Sequence, residues 1–247
     1  MRRIRITISY DGTGYHGWQV QPGLPTIQST LETILAEIEG APVAVAGSGR
    51  TDAGVHALAQ VAAFSLNNPI PAENLQKAMN RLLPHDIRVL DIAEAALDFH
   101  PRYQAKAKTY EYRIYRGAIC PPFDRNYVHH YPYPLDEARM IEFAPVLEGE
   151  HDFSAFAASD EKYQEGYTRV RRVFSSRAAR EGDRLIYRVT GSGFLKHMVR
   201  NIVGVLLEAG KGNVARGDIE ARLRPNCGIP AGPTAPARGL FLISVEY

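Results

Sequence analysis

Asp52 stands in the run Gly47-Ser48-Gly49-Arg50-Thr51-Asp52-Ala53-Gly54-Val55-His56-Ala57, one carboxylate among glycines in an apolar neighbourhood. A single carboxylate in such a setting can act as a nucleophile, which makes Asp52 the leading candidate for chemistry. Glycine lets the backbone take positive φ values and lets a large ligand approach closely. Asp and Gly also make ordinary turns, and spacing alone favours a plain turn. A phosphate-cradling loop fits less well, because the run holds no Gly-x-Gly-x-x-Gly and no Gly-Lys-Ser/Thr.

The elements around this run must position it. Val43-Ala44-Val45 and Val61-Ala62-Ala63-Phe64 read as short buried strands, with the Asp52 segment as their connector. Upstream, Ile4, Ile6, Ile8 and Tyr10 alternate with polar residues at the period of a half-buried strand. Thr26 can cap a helix with Ile27, Leu31, Ile34, Leu35 and Ile38 on one stripe. Beyond Pro69 and Pro71, a helix with Leu75, Met79 and Leu82 on one face runs to Pro84, and Ile87 to Leu90 forms a strand. The order is β-α-β-β-α-β.

A similar order recurs after about residue 105, without a visible sequence repeat. Thr109 to Tyr115 alternates as a strand, and Leu135 to Leu147 reads as a helix. Arg171 to Ser176 and Leu185 to Thr190 read as strands about the turn Arg180-Glu181-Gly182-Asp183. Leu195, Met198, Val199, Ile202, Val203 and Leu206 make a helical stripe ended by Gly210, and Leu240 to Val245 closes the chain as a strand. Two α+β halves follow, residues 1–105 and 106–247, each a sheet with helices on one face. Between Pro225 and Gly239, four prolines and three glycines exclude helix interior and central strand. That segment is read as a stiff loop delivering Arg238-Gly239-Leu240 to a fixed place.

With 247 residues and 45% hydrophobic content, the chain has enough apolar material for one large or two ordinary domains. Cys120 and Cys227 lie far apart with no Cys-x-x-Cys, which suggests neither a disulfide framework nor a zinc site and suits the reducing cytoplasm. Met1-Arg2-Arg3 runs straight into an alternating strand, so no signal peptide is expected, and no apolar run reaches membrane-spanning length. Net charge is only +2, but its distribution says more. Phe99 to Arg116 carries five cations against Glu111, interleaved with aromatics, and Arg169 to Arg188 carries seven arginines against Glu181 and Asp183. Arginine grips phosphate and stacks on bases, so the two stretches favour a polyanionic partner. His129-His130 reads as a loop pair rather than two ligands of one metal, and Trp18 as packing at a sheet edge. His56 fits an RNA contact or the end of a turn.

Tyr10-Asp11-Gly12-Thr13 with Gly17-Trp18-Gln19, Gly49 to Ala57, Lys108-Thr109-Tyr110-Glu111-Tyr112, Phe194 to Asn201, and Ala235-Pro236-Ala237-Arg238-Gly239-Leu240 recur together in one order. In these motifs the chain resembles the tRNA pseudouridine synthase A family, whose members isomerise uridines at positions 38 to 40 in the anticodon stem-loop of tRNA. The resemblance implies Asp52 as nucleophile, Arg200 as its charge partner, Tyr110 stacked under the target uracil and Leu240 packed beside it. It implies Arg50 in the gap left by the displaced nucleotide, and Phe99, His100, Arg102 and Tyr103 against the RNA. It further implies two ferredoxin-like halves whose mainly antiparallel sheets join into one platform with helices on one face, working as a cytoplasmic homodimer. Residues 157–168 match no family pattern.

The implied reaction breaks the C1′–N1 bond, turns the uracil and rejoins it through C5, with no net redox change and no donated group. No cofactor and no metal are needed. Asp52 can attack either C6 of the ring or C1′, much as carboxylates do in glycosyl transfer. Two rival readings stand beside it. One is a non-catalytic RNA-binding platform, since aromatic-bearing sheets of this kind often serve that way. The other is a nucleotide-dependent enzyme, which lacks the lysine and the glycine spacing it needs here.

Overall fold

In β1 (Arg2–Tyr10) the alternating pattern becomes geometry: Ile4, Ile6 and Ile8 are fully buried and Tyr10 nearly so, while the arginines between them stay partly exposed. Each such isoleucine contributes about 1.5–3 kcal/mol of burial. The computed structural model describes residues 1–158, 168–230 and 232–247, so most of the unmatched segment 157–168 lies outside the described residues. The chain divides into two units, Met1–Lys106 with Phe241–Tyr247, and Ala107–Leu240.

In the first unit β1 is followed by α1 (Ile27–Glu39), β2 (Ala46–Gly47), β3 (His56–Leu66), α2 (Ala72–Leu82) and β4 (Ile87–Ala95), the expected β-α-β-β-α-β order. β1 pairs antiparallel with β3 on one side and with β4 on the other. β3 is buried along most of its length, because its second edge is covered as well. β2 pairs there antiparallel at Ala46 and Gly47, and the C-terminal strand (Leu240–Glu246) pairs in parallel, Phe241 with His56 and Leu242 with Ala57. The sequence pattern puts this last strand in the second half; from Phe241 on it belongs to the first unit. Apolar alternation marks a strand but carries no information about its partner.

Two local readings in this unit change. Val43 and Val45 are buried without forming a strand. The Gln28 side chain donates to the Val45 carbonyl at 3.0 Å and the Glu32 carboxylate accepts from the Val45 N–H at 3.0 Å, so helix side chains replace a ladder and pairing begins at Ala46. In α2, Leu75 and Met79 are buried but Leu82 is 42% exposed. Leu83, where the chain turns extended, packs inward in its place. α1 is capped as expected: the Thr26 hydroxyl accepts from the Ser29 N–H at 3.2 Å, and Gly40 ends the helix at φ +76°.

The second unit comprises β5 (Ala107–Tyr115), β6 (His129–His130), α3 (Glu137–Phe143), β7 (Gly149–Asp152), β8 (Val170–Glu181), β9 (Arg184–Gly191), α4 (Met198–Gly210) and α5 (Arg216–Arg222). Its strands run β5-β9-β8-β7, antiparallel throughout, with β6 added to β5 in parallel. His129-His130 is therefore a short strand, not a loop, held by Ile114 and Tyr115. The expected helix 135–147 is α only to Phe143 and 3-10 from Ala144 to Leu147, since Pro145 has no N–H to continue the ladder. β8 and β9 are longer than the apolar runs suggest, so the turn shrinks to Gly182-Asp183, with Gly182 at φ +56°.

Eleven of the thirteen residues of α4 are buried, far more than one stripe. Gly210 ends this helix without a left-handed cap; positive φ falls at Gly212 instead. Gly210 is small for another reason, because a Cβ there would lie 2.7 Å from Leu135 Cδ1. Among the described residues no helix is long and apolar enough to cross a membrane.

Candidate active site

Residues 48–55 connect β2 to β3 and carry Asp52. Main chain holds main chain here: Trp18 N–H donates to the Thr51 carbonyl at 3.0 Å, Gly54 N–H to the Tyr15 carbonyl at 3.3 Å, and Val55 N–H to the Asp52 carbonyl at 3.1 Å. So close an approach needs glycine. A Cβ on Gly12 would lie 2.0 Å from the Val55 carbonyl oxygen, and one on Gly17, at φ +88°, 2.6 Å from the Thr51 carbonyl oxygen. Side chains finish the seat. The Tyr10 hydroxyl meets the Thr51 hydroxyl at 2.9 Å, and Gln60 Nε2 donates to the Gly49 carbonyl at 3.0 Å. Burial pushes the Tyr10 phenol up to about 12, so it stays protonated for that bond at neutral pH. Thr51 and Val55 are buried on either side while Asp52 is half-buried, so the loop is anchored at both ends around the aspartate. Trp18 packs on Gly47 of the edge strand β2, as the sequence suggests.

Arg50, on the same loop, is exposed. Phe99, His100, Arg102 and Tyr103 come together in the segment after β4. Phe99 packs against Tyr247 with 5.1 Å between centroids, and its carbonyl accepts from Arg3 Nε at 3.1 Å. His100 and Tyr103 lie ring over ring at 4.2 Å, the Arg102 N–H donates to His100 Nδ1 at 3.1 Å, and the Arg102 guanidinium sits 5.9 Å from the Tyr103 centroid. Tyr103 is 76% exposed. The cluster offers an outward aromatic face and a cation on a base anchored by Phe99.

In the second unit Tyr110 is a buried residue of β5, with Phe194 edge-on at 5.2 Å and 81°. Arg200 lies in the first turn of α4, just after His197, whose φ of +60° is an uncommon conformation for a residue other than glycine. Arg200 Nε donates to the Ala235 carbonyl at 2.8 Å, and Ala235 N–H to the Arg200 carbonyl at 3.1 Å. Thr234 donates to Asn201 Oδ1 at 2.7 Å, and the Tyr112 hydroxyl donates to the Pro236 carbonyl at 2.8 Å. Gly204 lets the chain at Pro233 lie on α4, since a Cβ there would sit 1.6 Å from the Pro233 carbonyl oxygen. The proline-rich segment is thus strapped to α4 and β5 and delivers Leu240, which is buried.

The basic stretches are less basic in space than in sequence. Arg177 pairs with Glu148, Arg180 with Glu137 at 2.6 Å, Arg184 with Asp124 at 2.8 Å and Arg188 with Glu111. Arg113 meets Glu111 at 2.8 Å and Arg116 meets Glu137 at 2.7 Å. Burial works to raise the Glu111 pKa, but hydrogen bonds from Arg188 and Arg113 outweigh it and hold it below the ordinary value. Of these, Glu111, Arg113, Asp124, Arg184 and Arg188 line a cleft of about 530 Å³ on the second unit. Acids far off in sequence pair with the four arginines from Arg177 to Arg188, which leaves that half of the run less basic than it reads.

The sequence leaves Gly12, Gly17 and Phe194 without a role, and gives His56 only an RNA contact or a turn end. The signal for the first two was their place in short motifs with no secondary-structure pattern of their own.

The sequence model described as tRNA pseudouridine synthase matches residues 6–104 and 144–247. The chain is 63% identical over 249 residues to the tRNA pseudouridine synthase A of Solibacter usitatus, covering 100% of each chain. It is 43% identical over 247 residues to that of Caldicellulosiruptor saccharolyticus and 45% identical over 247 residues to that of Geotalea uraniireducens, again with 100% of each chain covered.

Proposed function

The chain belongs to the tRNA pseudouridine synthase family, and from this premise we propose that it acts on uridines at positions 38 to 40 in the anticodon stem-loop of tRNA. It is an isomerase that converts uridine to pseudouridine in tRNA. Asp52 is the nucleophile, and the observation that carries this reading is its loop: a half-buried aspartate between the buried anchors Thr51 and Val55, on a backbone seat that needs glycine at 12 and 17. Arg200 keeps that carboxylate charged once water is excluded, Tyr110 stacks under the flipped uracil and Leu240 packs beside it. Arg50 fills the gap in the RNA, and Phe99, His100, Arg102 and Tyr103 contact its backbone and bases.

Flipping the base costs a few kcal/mol, and one aromatic platform returns about 1–3. Phosphate contacts supply the remainder. In the reaction C1′–N1 breaks and C1′–C5 forms, while the C5 hydrogen leaves as a proton and N1 regains one. The two halves are read as ferredoxin-like, and a cytoplasmic homodimer is the assembly that the family implies.

The test incubates unmodified tRNA carrying tritium at uracil C5 with the protein alone. Label released to water without added cofactor, and lost in Asp52→Asn, is the expected result. An Asp52→Asn protein as fast as the parent would remove the nucleophile, and no release by the parent would leave only RNA binding.

A further inference from the structure

His56 heads β3 where the Asp52 loop ends, and it is 1% exposed, which excludes direct contact with RNA. Its ring stacks on Phe241 with 4.7 Å between centroids and 25° between planes. The Gly12 N–H donates to its Nδ1 at 3.1 Å. In that bond Nδ1 acts as the acceptor of a backbone amide. Asp11 Oδ1 also lies 3.1 Å from Nδ1, but that oxygen accepts from the Thr13 N–H at 2.9 Å and the Thr13 hydroxyl at 2.6 Å. Nδ1 therefore faces both the Gly12 amide and the Asp11 carboxylate, and its contact with Gly12 is the one that leads to the Asp52 loop.

Gly12 is the residue whose missing Cβ lets the Val55 carbonyl lie against it, and Val55 N–H holds the Asp52 carbonyl at 3.1 Å. A continuous path thus runs from the imidazole through the Gly12 backbone to Val55 and Asp52. We propose that His56 is a positioning residue for the reaction: it holds Gly12 against Val55 and thereby sets the height and direction of the Asp52 carboxylate. This rests on the reading of Asp52 as nucleophile. A residue acting only through the stacking of its ring would be replaceable by phenylalanine. One acting through the Nδ1 acceptor would not.

Three variants separate these roles. His56→Phe keeps the ring and loses the acceptor, His56→Asn puts its Oδ1 where Nδ1 stood, and His56→Gln places an acceptor one bond too far. Turnover by tritium release, KM, RNA affinity and thermal unfolding are measured together, with Asp52→Asn alongside. Phe and Gln should lose about 10- to 100-fold in kcat, the scale of a misplaced reacting group, with KM and RNA affinity unchanged. Asn should recover most of the loss. A His56→Phe protein with parental kcat, an Asn variant as slow as Phe, or losses confined to KM would overturn the proposal. If the Phe variant does not fold, the contrast between Asn and Gln decides in the same way. An inactive Asp52→Asn beside a fully active His56→Phe refutes this inference alone, whereas an active Asp52→Asn refutes the nucleophile reading and this inference with it.

Discussion

In the loop that carries Asp52, most of the holding bonds run main chain to main chain, Trp18 to Thr51 and Gly54 to Tyr15; the loop that delivers Leu240 is held mostly by side chains reaching out of β5 and α4, with one main-chain bond from Ala235 to Arg200. Composition explains the difference. Prolines at 230, 233 and 236 have no N–H, so the second loop can be grasped mainly by its carbonyls, and Tyr112 and Arg200 donate to two of them. The first loop keeps its N–H groups and meets its neighbours at Gly12 and Gly17, whereas the second has one such contact, Pro233 on Gly204. A backbone seat cannot yield to an added methyl group, because neither side has a flexible end. A side-chain strap loses one bond at a time.

The comparison is broken most directly at Gly12. Gly12→Ala forces a Cβ to within 2.0 Å of a backbone oxygen. We expect a loss of about 1–3 kcal/mol in denaturant unfolding, as for other overpacked sites, and about 100-fold in turnover by tritium release. A variant that keeps both would show that the first loop is not seated on its backbone.

Tyr112→Phe tests the second loop. It leaves the Pro236 carbonyl without its donor, a loss of about 1–3 kcal/mol at a buried site, and because the other straps remain, turnover should fall less than in Gly12→Ala. Equal or larger losses of activity would mean that the two loops are not fastened differently.

A smaller effect sharpens the picture beside Tyr112. His129 lies edge-on to that ring at 6.2 Å, and burial, then the charge of Arg238, push its pKa from 6.5 down to about 4. The unfolded chain therefore takes up the proton first, and stability falls as pH drops from about 6.5 towards 4. His129→Phe should flatten that part of the curve of thermal unfolding against pH. The same steepness in parent and variant would remove His129 from the account.

The smallest effect lies outside both loops. Arg102, on the exposed cluster with Tyr103, should contribute one phosphate contact. Arg102→Gln should lower the slope of log affinity against log salt by about 0.7–0.9 and leave kcat unchanged. An unaltered slope would take Arg102 off the RNA.

Much of the architecture was legible because it is local. The alternation of β1 and the cap at Thr26 each depend on residues within one element, and each is found where the pattern puts it. Reading failed where the deciding partner lay far off in sequence. Val43 to Val45 has the composition of a strand, but Gln28 and Glu32 take its backbone groups. The arginines from Arg177 to Arg188 look like a phosphate face until Glu111, Asp124, Glu137 and Glu148 arrive from other elements. Asp52 was legible as the candidate nucleophile. Its support was not, since nothing near Gly12 in the chain announces that Val55 will lie against it.

By itself the sequence determined the family, the element order of the first unit and a candidate for the reactive carboxylate, because motif and periodicity are properties of neighbours along the chain. Only the tertiary structure decided that the C-terminal strand pairs with β3, which arginines are already committed to acids, and that His56 is turned inward beside Gly12. Those outcomes depend on charge pairing, burial and the absence of a methyl group between segments more than forty residues apart, as Gly12 is from Val55 and His56.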